Sequence, residues 1–210
     1  MANPRLDEVA ADPEVDEQRC EHEKMFAETR EGSVQECITP DDVLASDAQD
    51  TFGAALDALT LAEVEEAAGE LHRRVAAALR DIGERRADKG GRNSPRTRVA
   101  SLAIAIELGA FVIGGLASGS MTEIPRLELH PSTVAAVVYA APTIQSLLGR
   151  LEQDRRLLAS LARSLESRLD EECESPWGRL TARRLVSDLS IVLPARVALE
   201  LDEVAGEADV

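Results

Sequence analysis

The sequence predicts an all-α protein, and three observations carry that prediction. From residue 60 onward apolar residues recur at steps of three and four, the period of one helix face. Helix-start signals, a Ser or Thr followed by Pro or by an acid three residues on, stand ahead of these stretches. One 22-residue stretch, Val99–Ser120, is apolar all round and long enough for a single helix that crosses a bilayer core of about 30 Å. The full expectation is a set of helical hairpins or a bundle containing a two-helix transmembrane hairpin, preceded by a disordered acidic tail.

Composition bounds the function before any motif does. A chain of 210 residues that is 44% hydrophobic can bury a core. Aromatic residues are only 2% of it, which argues against a base-stacking surface for single-stranded nucleic acid. The net charge of -16 argues against binding a phosphate backbone. That charge sits at the ends. Residues 1–50 hold 15 acids against 4 bases, residues 51–194 hold 19 against 18, and residues 195–210 hold 5 against 1.

Residues 1–38 have no sustained apolar period and read as an acidic disordered tail. The N-terminus, MANPRLDEVAAD, has no basic stretch followed by an apolar run, so no secretory signal is expected. Cys20, His22 and Cys37, with Glu21 or Glu23, have donor chemistry for zinc, but their spacing matches no tetrahedral finger. With Cys173 the cysteines number three, which makes no disulfide framework.

Residues 39–92 read as a helical segment. Thr39-Pro40-Asp41-Asp42 opens a short helix to about residue 45, and Ser46 with Gln49 opens another through Leu59. Thr60-Leu61-Ala62-Glu63 is a capping box, with Leu59 and Val64 placed for a hydrophobic staple. Leu61, Val64, Ala68, Leu71, Val75, Ala78 and Ile82 then step 3, 4, 3, 4, 3, 4, a heptad seam that must pack on another helix. His72 lies beside Arg73 and Arg74 and is expected in solvent. Lys89-Gly90-Gly91-Arg92-Asn93 ends the segment.

Residues 93–149 are expected to form the apolar hairpin. Ser94-Pro95 is an N-cap followed by Pro at the first helical position. Val99–Ser120 follows, with Glu107 its single charge, and Val99–Ala117 reaches the mean hydropathy used to nominate membrane spans. Ala110, Gly114 and Ser118, together with Gly115 and Gly119, are spaced for close helix packing in lipid. A polar connection, Met121–Pro131, leads to Thr133–Leu148, about sixteen uncharged residues that Pro142 would kink. Arg92, Arg96 and Arg98 precede the first run, and Arg150, Arg155 and Arg156 follow the second. That asymmetry predicts a membrane protein with both termini cytoplasmic. Glu107 is then an intramembrane carboxylate with a functional role, or in a soluble fold a carboxylate at the core edge paired with an Arg or a helix cap. Against insertion stand the cost of Glu107, the weak contribution of Ala and Gly, and the lack of an aromatic belt.

Residues 150–199 read as amphipathic helices. Ile144, Leu148, Leu151, Leu158, Ala162, Leu165 and Leu169 mark one helix from about Pro142 to Glu172, able to pair with the 61–82 seam. Ser175-Pro176 is read as the start of a last helix, broken near Pro194, and residues 200–210 as an acidic tail. Leu189–Val204 resembles the strand–Pro–helix half of a ribbon-helix-helix unit, without the basic residues such a strand needs in a DNA groove.

No nucleotide-binding glycine loop and no H-E-x-x-H is present, and His22, His72 and His130 fall in different segments. The expected function is therefore non-enzymatic: a membrane-anchored interaction, assembly or regulatory component. The alternative is a soluble all-helical interaction or regulatory module, with residues 99–148 as its buried core and the heptad seams as dimer contacts. No cofactor, metal, nucleic acid or small-molecule substrate is expected. The expected partner is a protein, or a second copy, held through helices.

Overall fold

A computed structural model describes residues 55–120 and 124–206 of the chain. The expected acidic tail, the helices predicted before residue 55 and the Cys20, His22 and Cys37 set lie outside those residues. Within them the protein is mostly helical, with one two-stranded hairpin.

Helix α1, Leu61–Ile82, begins where the capping box predicts. The Glu63 N–H donates to Thr60 Oγ1 at 3.3 Å, and the Thr60 N–H donates to Glu63 Oε2 at 2.8 Å. The helix stops at Gly83, whose φ of 74° is open to glycine and costly for other residues. A single turn, α2 (Glu84–Ala87), follows. The buried stripe of α1 is Val64, Ala68, His72, Val75, Leu79 and Ile82, with Ala78 beside it. His72 is therefore buried, not solvated, and Leu71 is only half-buried. The seam also has a different principal partner from the one expected, since α1 packs most extensively on α7, the last helix.

Helix α3, Pro95–Ser118, starts at Ser94, whose Oγ accepts from the Thr97 N–H at 3.3 Å. It runs to Gly119, where a φ of 68° closes it. Gly119 is thus a cap and not a packing residue. Helix α3 is the centre of the bundle, and Val99, Ala103, Ala105, Ile106 and Ile113 are fully buried. The close approach that the small-residue pattern placed at 110–119 occurs at Gly109, where an added methyl carbon would lie 2.1 Å from Leu189 Cδ1. Gly109→Ala is therefore expected to lower stability by about 1–2 kcal/mol, because Leu189 is itself packed in the core. A thermal melt matching the parent's would show that Leu189 moves aside freely.

The predicted return arm does not form one kinked helix. Helix α4, Pro131–Ala140, and helix α5, Ile144–Ser164, meet at a 112° bend around Pro142. Thr143 caps α5, its Oγ1 accepting from the Ser146 N–H at 3.1 Å. Helix α5 stops at Ser164, short of the predicted end at Glu172, and packs along α3 as that helix's principal neighbour.

Ser175-Pro176 does not start a helix. Strands β1 (Glu172–Ser175) and β2 (Gly178–Thr181) pair antiparallel across the Pro176-Trp177 turn. Gly178, at φ 106°, and a hydrogen bond from Ser175 Oγ to the Gly178 carbonyl at 2.7 Å hold that turn. Helix α6 (Ala182–Ser187) then passes through a π-helical stretch, Asp188–Val192, into α7 (Leu193–Gly206). Pro194 lacks the N–H that an α-turn would use there, and the Leu193 N–H bonds back to Asp188 instead. Leu189, where the likeness to a ribbon-helix-helix half would begin its strand, is helical.

Candidate functional site

The side chains flagged from the sequence fall in different parts of the bundle. Glu107, midway along α3, is half-buried and accepts from Arg150 Nη2 of α5 at 2.7 Å. Asp154 lies 3.7 Å from Arg150 Nε, so one guanidinium stands between two carboxylates. Burial, and then the Glu107 charge, push the Asp154 carboxyl up to about 6. Of the small residues, Ala110 is buried, Gly114 and Gly115 are half-buried, and Ser118 and Gly119 are exposed.

Of the arginines predicted to flank a membrane hairpin, Arg96, Arg98, Arg150, Arg155 and Arg156 hold ion pairs within the protein. Arg96, only 3% exposed, holds Glu84 and Asp88 and donates to the Pro142 carbonyl at 2.7 Å. Glu84 also accepts the Ile144 N–H at 2.8 Å, an orphan donor of the first turn of α5. Those bonds, the Ile144 N–H first, hold the Glu84 carboxyl below its ordinary range. One ion-paired corner thus fixes the start of α3, the short α2 and the α4–α5 bend. Arg98 pairs with Glu200 of α7, and Arg155 pairs with Glu152 within α5.

Three buried polar groups carried no sequence signal. Glu128 is 1% exposed and accepts from the Trp177 indole N–H at 3.2 Å and from Arg126 Nε at 3.1 Å. Asp188 is buried against Arg184, and burial pushes its carboxyl up. His72 bonds the Ala68 carbonyl through Nδ1 at 2.8 Å, while its buried Nε2 has no hydrogen-bond partner. Burial is the largest cause of its depressed pKa of about 4. Burial likewise pushes the Cys173 thiol up to about 11, so it is not a nucleophile at neutral pH.

Among the described residues, no three His, Cys, Asp or Glu side chains are grouped to hold a metal. A cavity of about 10 Å³ bordered by Val64, Glu65, Ala68, Arg155 and Ser190 has room for about one water. A larger open groove of about 430 Å³ lies along the C-terminal half of α3, lined by Leu108, Phe111, Val112, Gly115, Ile124 and Leu127. Its lining is mostly apolar, with Ser118, Ser120 and Glu174 as its polar groups. Comparison with known protein families, characterised proteins and solved structures finds no match for this chain.

Proposed function

We propose that this chain is a non-enzymatic, all-helical interaction or regulatory module that works in water, with the apolar helix α3 as its core. The observation that carries this reading is the neighbour of that helix. Helix α5 lies along α3 and bears Arg150, Glu152, Asp154, Arg155, Arg156 and Arg163. In this fold α3 cannot enter a bilayer without α5. Each charge taken to the centre of a membrane helix costs about 2.5–3.5 kcal/mol on insertion scales. The pairing of Arg96, Arg98 and Arg150 within the bundle supports the same reading, because these side chains have structural partners and need no headgroups.

The membrane-anchored reading keeps one specific support. Helix α3 is long and apolar enough to cross a bilayer, and the bent α4–α5 pair would count as a second crossing if taken as one broken span. Insertion then requires α5 to separate from α3 and its ion pairs to break. Fractionation of lysed cells distinguishes the two. The expected result is full recovery in the high-speed supernatant without detergent, and a monodisperse protein after purification in plain buffer. Recovery only from the membrane pellet, released by detergent but not by high salt, would overturn the module reading in favour of the anchor.

A further inference from the structure

We draw no further inference here: the strongest candidate, the open apolar groove along the C-terminal half of α3 beside the exposed Phe111, carries nothing because no feature of the structure shows what covers it.

Discussion

Replacing Arg96 with methionine is expected to lower the unfolding free energy by about 2–3 kcal/mol. The apolar replacement keeps most of the side-chain volume, so the loss reports the partners and not a cavity. Those partners are Glu84 and Asp88 of the short α2 turn and the Pro142 carbonyl of the α4–α5 bend. The side chains of Glu84 and Asp88 are more than half exposed and rehydrate when Arg96 is removed, which keeps the cost below that of a fully buried pair. Arg96→Lys is expected to recover only part of it, because one ammonium cannot reproduce a planar fork with several donors. Urea denaturation measures both. A midpoint for Arg96→Met within error of the parent's would mean the corner does not hold the α4–α5 bend.

The second large effect is a pH dependence carried by His72. Its folded pKa of about 4 lies below the ordinary 6.5, with burial as the first cause and the charge of Arg155 adding to it. The Ala68 carbonyl and Glu152 act in the opposite direction. The folded state therefore holds the neutral ring. A depressed pKa contributes stability that is present above 6.5 and is lost as the pH falls toward 4. The gap between 6.5 and about 4 corresponds to about 3 kcal/mol at its limit. Asp154 has the opposite sign. Its folded pKa of about 6 stands above the ordinary 3.8, so the folded state takes up that proton first and gains stability as the pH falls through 6. The two partly cancel in the parent's own curve, so each is isolated by difference. His72→Leu should match the parent near pH 7.5 within about 1 kcal/mol and gain on it steadily from pH 6.5 to 4. Asp154→Asn should be the more stable protein at pH 7.5, with its advantage shrinking below pH 6. Parallel pH profiles for parent and His72→Leu would show that the ring is hydrated in the folded state.

His72 also marks a limit of the sequence reading. Steps of three and four chose Leu71 for the seam because it is the apolar residue at that spacing. The structure instead runs its stripe through His72 and Leu79, since a straight helix of 3.6 residues per turn drifts from a strict heptad. The neighbouring Arg73 and Arg74 made His72 look solvated, and only the packing of α7 and α5 on α1 reverses that. Ser175-Pro176 was misleading for a different reason. It is the same dipeptide that correctly starts α3 at Ser94-Pro95, but Gly178 two residues on makes it a turn, with Pro and Gly in their favoured second and fourth places. That signal was present and was outweighed. Gly109 had none, because its need for a bare Cα comes from Leu189, eighty positions away.

What the sequence determined by itself is local. The caps at Thr60 and Ser94 and the amphipathic stripe of α5 follow from backbone donors and side-chain spacing within a few residues. It also marked most of Val99–Leu116 as leaving water. Which helices pack on it was decided only by tertiary structure. Hydropathy records the free energy of taking a side chain out of water, and a lipid tail and a leucine-rich neighbour return nearly the same value. The covering of α3 by α5, α4 and α7, and the Arg150 that meets Glu107, arise from contacts between residues far apart in the chain. No local pattern encodes them.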